Sequence, residues 1–187
     1  MLNHNQLRNG TRVEIDGLPW IIISAQFVKP GKGQAFTKIK IKNLIDGRVI
    51  DRTYKSSESV SKADVMDKNM QFLYSDGSFW HFMDPSNYEQ VAVTEKQIAN
   101  VINWLKEEET YQVTLWRGKP IAVTPPPFVV LKITVCEPGV KGDTVSGATK
   151  PATMETNAVV KVPLFVNEGE MIRVDTRTGL YVERAKS

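Results

Sequence analysis

Apolar and polar positions alternate along much of this 187-residue chain. The clearest case is AFTKIKIK, where Lys38, Lys40 and Lys42 are interleaved with Ile39 and Ile41. A strand sends successive side chains to opposite faces, so the isoleucines should enter a core and the lysines line an outer face. Comparable runs are joined by turn dipeptides. VEIDGLPWIII turns at Asp16-Gly17, IKNLIDGRVIDRTY at Asp46-Gly47 and FLYSDGSFWHFM at Asp76-Gly77. LWRGKPIAV turns at Arg117-Gly118, and IRVDTRTGLYV near Thr178-Gly179. Asp-Gly between alternating apolar residues marks a tight hairpin. Turns of this kind spread along the whole chain predict an all-β architecture of sandwiches or small barrels.

One segment has a different period. TEKQIANVINWLKEEE places Ile98, Val101, Ile102 and Leu105 at helical spacing, with Thr94 and Gln97 as a capping box. The pattern predicts one amphipathic helix ending before the run Glu107–Glu109, since acids oppose the dipole at a helix C-terminus. Two stretches are candidate boundaries. SSESVSKADV, residues 56–65, either links two domains or forms a loop within one. Pro125, Pro126 and Pro127 stiffen the chain before a new strand-like run at Phe128. Three domains of about 60 residues each would result, small enough to lean on one another.

Between the runs WIIISAQFV and AFTKIKIK lies KPGKGQ. Pro30 favours a turn, and Gly31 and Gly33 flank Lys32 without side-chain cover. This predicts a hairpin tip with one ammonium held out past its neighbours. Charge adds to the picture. Residues 1–64 carry 11 Lys+Arg against 6 Asp+Glu, a net +5, whereas the middle third is −3 and the last +1. No acid occurs from Gly17 to Ile45, where five lysines fall. Such a field suits a polyanion such as RNA, or is a solvated face.

Catalytic chemistry has little to stand on. His4 lies in a polar terminus and His81 between aromatics, and each reads as a packed or surface side chain. Cys136, the single cysteine, reads as a buried small hydrophobe in a chain made for a reducing compartment. No zinc-ligand spacing and no phosphate-binding glycine pattern appears. The longest apolar runs fall short of the ~18 residues of a membrane helix, and the polar N-terminus does not resemble a signal peptide. A second loop, PGVKGDTVSGATKPAT, is rich in Gly, Ser, Thr and Pro. Gly142, Asp143 and Thr144 there offer hydrogen-bonding groups, with Lys141 and Lys150 as nearby counter-charge. An RNA-binding β-barrel and, more remotely, an enzyme remain as competing classes.

Taken in order, FVKPGKGQAF, FWHFMD, VTPPPFVVLKI, PGVKGDT, TKPAT, VKVPLFVNEGE and VDTRTGLYVER resemble the bacterial elongation factor P family over essentially the whole chain. The resemblance implies three small β-barrels, L-shaped and tRNA-like. An SH3-like (KOW-type) barrel, 1–64, would precede two OB-like barrels, 65–127 and 128–187. It implies a cytoplasmic, monomeric and non-catalytic translation factor without a bound cofactor. Such a factor binds the 70S ribosome, ribosomal RNA and peptidyl-tRNA between the P and E sites and relieves stalling at consecutive prolines.

The family's modified lysine corresponds to Lys32. A lysyl-tRNA-synthetase-like ligase would attach β-lysine to its amine, with hydroxylation as a further step. Lys29, Pro30, Gly31, Gly33 and Gln34 would support the tip. Gly142, Asp143 and Thr144 correspond to the loop facing the small subunit and the exit-site codon. Tyr181 and Arg184 correspond to tail positions expected to touch RNA. Ala148 stands where many relatives have glycine.

Overall fold

A computed structural model describes residues 1–139 and 147–186. Strands take up 56% of the chain and helix 6%, which settles the all-β class. The described residues form three antiparallel, barrel-like sheets, met in sequence order. The first contains β1 (Leu2–Asn3), β2 (Arg12–Ile15), β3 (Leu18–Val28), β4 (Phe36–Asn43), β5 (Val49–Lys55) and β6 (Ser59–Lys62). Their spatial order is β1-β6-β2-β3-β4-β5. The polar stretch at 56–65 is therefore in part a strand of this sheet: β6 pairs with both β1 and β2.

The second sheet contains β7 (Val65–Ser75), β8 (Phe79–Met83), β9 (Gln90–Thr94), β10 (Thr110–Trp116) and β11 (Lys119–Thr124), in the order β11-β10-β7-β8-β9. The third contains β12 (Phe128–Cys136), β13 (Thr149–Met154), β14 (Val159–Pro163), β15 (Met171–Asp175) and β16 (Leu180–Arg184), in the order β14-β13-β12-β15-β16. Among the described residues, no helix is long and apolar enough to cross a membrane.

The turn residues behave as their chemistry demands. Asp16 and Gly17 both have positive φ, 55° and 73°, as do Arg117 and Gly118, 51° and 78°. Two consecutive positive φ values between paired strands are the mark of a type I′ hairpin, whose twist matches that of its strands. At the β7–β8 turn, Asp76 accepts from the Ser78 and Phe79 amides at 2.9 and 2.7 Å. Its other oxygen lies 2.8 Å from His81 Nε2, and the His81 bond is the main reason its carboxyl is lowered to about 2. His81 also stacks on Tyr74, so it is a packed surface residue.

The predicted helix is shorter and tighter than its sequence suggests. Helix α1 (Glu95–Ile98) keeps the Thr94–Gln97 capping box. The chain then tightens: Val101 N donates to Ile98 O and Trp104 N to Val101 O, each at 2.8 Å. These three-residue steps align Ile98, Val101 and Trp104 on one face, as expected at 3.0 residues per turn. Those three are 0%, 0% and 8% exposed, whereas Ile102 is 40% exposed. Seating the large indole of Trp104 thus takes precedence over the regular helical face.

By its contacts the chain forms two compact units, Met1–Lys68 with Thr114–Ala122, and Asn69–Val113 with Val123–Ser187. In the first, the core comprises Val13, Ile15, Trp20, Ile22, Ile39 and Ile41 together with Leu7 and Val60. Arg12 pairs with Asp67 at 2.6 Å, and Thr114 Oγ1 donates to the other Asp67 oxygen at 2.8 Å. Arg117 adds an ion pair to Glu14, and its amide donates to Asp64 O at 2.9 Å. These bonds fasten the 114–122 segment to the first sheet.

In the second unit, Trp104 joins the core built on Leu131, Ile133, Met154, Val162 and Ile172, and Cys136 lies buried in the same cluster. The segment carrying Trp104 is pinned by Tyr111. Its hydroxyl donates to Trp104 O at 2.6 Å and accepts from Lys106 N at 2.8 Å. Burial raises this phenol to about 12, so it stays a donor throughout the physiological range.

Replacing Tyr111 with Phe leaves one buried carbonyl and one amide unpaired. The expected cost is about 1–3 kcal/mol, read as a lower urea midpoint with an unchanged denaturant slope.

Candidate functional site

The pairing of β3 with β4 builds a protruding hairpin. Their register runs from Trp20↔Asn43 to Val28↔Phe36, with an irregularity between Ile22 and Ser24. Residues 29–35 connect the two strands. Ala35 O accepts from Ser56 N at 3.0 Å, which ties the loop's exit to the end of β5.

Along β4 the burial strictly alternates: Thr37, Ile39, Ile41 and Asn43 are buried, and Lys38, Lys40 and Lys42 are exposed. The isoleucines enter the core and the lysines form the outer face, as the alternation predicts. That face is not purely basic, because β5 places Asp51 directly opposite Lys40. The acid-free run in the sequence ends at the strand boundary, whereas the sheet brings in acids from outside it.

At the tip, Lys29, Gly31, Lys32, Gly33 and Gln34 are exposed and Pro30 is half-buried. Among the described residues the Lys32 ammonium has no hydrogen-bond or ion-pair partner. The two glycines differ in kind. Gly33 has φ +109°, a conformation that L side chains rarely adopt, and a Cβ there would sit 3.8 Å from Pro30 Cγ. Its identity is dictated by the backbone. Gly31 has no such φ, and an added Cβ would meet nothing within 4 Å. Nothing inside the chain requires glycine at 31, so the bare backbone beside Lys32 faces outward only.

The remaining expected positions are placed differently. Tyr181 is half-buried and packs against the third-sheet core. Arg184 donates to Phe165 O at 2.7 Å, lies 3.5 Å from Glu170 and stacks over the Phe165 ring at 4.5 Å. Both tail side chains therefore have partners inside the fold. Lys150 belongs to β13 and is 7% exposed, so it is not a surface counter-charge for the loop before it. Gly142, Asp143 and Thr144, with Lys141, lie outside the described residues. Among the described residues, no cluster of His, Cys, Asp or Glu has the make-up of a metal site.

The structure also gathers residues that the sequence keeps apart. His4 stacks on Phe27 with ring centroids 5.6 Å apart, and its Nδ1 lies 3.3 Å from Thr37 Oγ1. Only the β3–β4 register, which sets Phe27 opposite Thr37, makes this grouping visible.

Three family models match consecutive parts of the chain. They are the elongation factor P KOW-like domain at residues 3–60, its OB domain at 65–123, and the elongation factor P C-terminal domain at 129–184. The chain belongs to the elongation factor P family. A relative from Magnetococcus marinus, named elongation factor P, is 63% identical over 186 residues, covering 100% of both chains. As a member of the elongation factor P family, the protein is a translation elongation factor.

Solved structures of two translation factors share the fold. Eukaryotic translation initiation factor 5A from Methanococcus jannaschii matches at TM-score 0.55 and 23% identity, covering 66% of this chain and 93% of that one. A translation initiation factor 5A family protein from Naegleria fowleri matches at TM-score 0.51 and 16% identity, covering 66% and 96%.

The two tip glycines should separate on substitution. Gly33→Ala is expected to destabilise the protein by about 1–2 kcal/mol through backbone strain. Gly31→Ala neither clashes nor strains, so it should stabilise the protein slightly, by about 0.4–1 kcal/mol, through the reduced freedom of the unfolded chain, and raise the denaturation midpoint.

Proposed function

We propose that this translation elongation factor binds the 70S ribosome between the P and E sites and positions peptidyl-tRNA through Lys32. The observation that carries the reading is the tip itself. Lys32, which has no partner among the described residues, stands between a glycine the backbone needs and a glycine that none of those residues requires. Bare backbone on that side lets a partner, or a modifying enzyme, close around the lysine.

Proline is a slow donor and acceptor because its ring restricts geometry. A factor that holds peptidyl-tRNA in a reactive pose reduces the entropic part of the barrier and donates no catalytic group. In this reading the ribosome does the chemistry and the protein is not an enzyme.

A lysyl-tRNA-synthetase-like ligase attaches β-lysine to the Lys32 amine, and hydroxylation is a further step. The amide removes one ammonium and β-lysine brings two. The arm becomes longer and more positive, which suits RNA phosphates. Pro30, Gly31 and Gly33 form the tip, and Lys29 and Gln34 flank it. Gly142, Asp143 and Thr144 contact the small subunit at the exit-site codon, and Tyr181 and Arg184 lie near ribosomal RNA. The protein acts in the cytoplasm as a monomer of three domains, 1–64, 65–127 and 128–187, with no bound cofactor.

The test is reconstituted translation of a reporter with three consecutive prolines, beside a proline-free control. The modified protein should relieve the stall, and Lys32→Ala should lose most of that relief while leaving the control unchanged. Equal relief by both proteins would remove Lys32 from the working site.

A further inference from the structure

A cavity of about 400 Å³ opens at the foot of the tip, lined by His4, Asn5, Arg8, Asn9, Phe27 and Thr37 among others. Its volume falls within the ~300–1,000 Å³ of small-molecule sites. Phe27 occupies the β3 position registered against Thr37, which is 2% exposed, yet Phe27 itself is 55% exposed. An inward-directed phenyl ring is therefore left uncovered by the core.

The ring is not loose. His4 stacks on it with an interplanar angle of 29°, and the contact of His4 Nδ1 with the buried Thr37 hydroxyl holds the imidazole. Around this pair stand two amides, Asn5 and Asn9, and the guanidinium of Arg8. Among the described residues, Arg8 has no ion pair and no side-chain hydrogen bond. Among the described residues that line the cavity there is no carboxylate.

A flat π-surface, amide groups able to pair with a heterocycle's edge, and one unneutralised guanidinium match a single chemical class. That class is a planar heterocycle carrying an anion. We propose that this cavity holds one unstacked nucleotide of an RNA strand, its base against Phe27 and its phosphate at Arg8. Unstacked bases are commonly held on aromatic side chains, with arginine supplying the backbone contact. An apolar peptide would leave Arg8 uncompensated, and an acidic peptide would leave the ring face unused.

The inference rests on the reading that this factor works against RNA, and it gives that RNA a second foothold. Lys32 lies five positions after Phe27, at most about 18 Å of chain. A nucleotide seated in the cavity would fix the angle at which the tip approaches its target.

The probe is a fluorescein-labelled adenine hexaribonucleotide, r(A)6, titrated by anisotropy against the full chain and its variants at several salt concentrations. Phe27→Leu keeps an apolar side chain at a half-exposed position and removes the stacking face. It should weaken binding about tenfold. Arg8→Gln should weaken binding and flatten the salt dependence by about one phosphate contact. Circular dichroism should show both variants folded.

Binding of r(A)6 unchanged in Phe27→Leu overturns the proposal. So does unchanged RNA affinity accompanied by slower β-lysylation, which would mark the cavity as a docking point for the modifying enzyme. The triple-proline assay separates the two readings. If the parent relieves stalling while Phe27→Leu binds RNA normally, only the cavity assignment fails. If RNA affinity depends on Phe27 but the parent relieves no stall, the positioning role fails and the cavity stands.

Discussion

The period-two alternation of β4, fixed by its hydrogen-bonded register with β3 and β5, is the constraint on which the first unit depends. It buries Thr37, Ile39, Ile41 and Asn43 and turns Lys38, Lys40 and Lys42 outward. A slip of one residue would exchange the two sets, placing three ammonium groups in the core. Fully burying each isoleucine contributes about 1.5–3 kcal/mol, so the correct register is strongly specified. The same register brings Val28 and Phe36 together and forces the intervening residues to protrude. The core of this unit and its exposed lysine thus follow from one pairing. The hollow beneath the tip follows as well, because that pairing sets Phe27 against Thr37 and lets His4 reach both.

The second unit is held by a different device. The segment 98–111 is brought into the third sheet's core by the Trp104 indole and locked by the Tyr111 hydroxyl. Thr156 Oγ1 donates to Asn103 O at 2.6 Å, and Lys106 pairs with Glu155 at 3.3 Å. Gly179 lies close to the same indole, since a Cβ there would be 3.9 Å from its ring. An acidic middle third is compatible with a translation factor if its charges serve such internal ties. Asp67 binds Arg12 and Thr114, and Asp76 organises its own turn.

Strands and turns were legible in the sequence because they depend on local rules. Alternation reports one buried face, and a glycine between strand-like runs reports positive φ, so β4 and the hairpins at 16–17 and 117–118 follow directly. The tip was legible for the same reason. The helix was only partly so: its capping box is local, but its continuation was decided by where Trp104 had to go. Lys150 looked like a loop lysine, and only its pairing with Val162 on β14 reveals a buried strand position. Asp51 beside Lys40, and Arg184 beside Phe165 and Glu170, are likewise products of register. In the His4–Phe27–Thr37 grouping, His4 and Thr37 are 33 positions apart, and the grouping had no local signal at all.

The central claim is that the Lys32 tip reaches the reacting end of peptidyl-tRNA. Its most direct test is a photo-reactive amino acid placed at position 32, irradiated on ribosomes stalled at consecutive prolines. The account predicts a dominant cross-link to the 3′-terminal nucleotides of the P-site tRNA, lost when that tRNA is absent. A cross-link confined to small-subunit RNA, or one indifferent to the P-site tRNA, would contradict it.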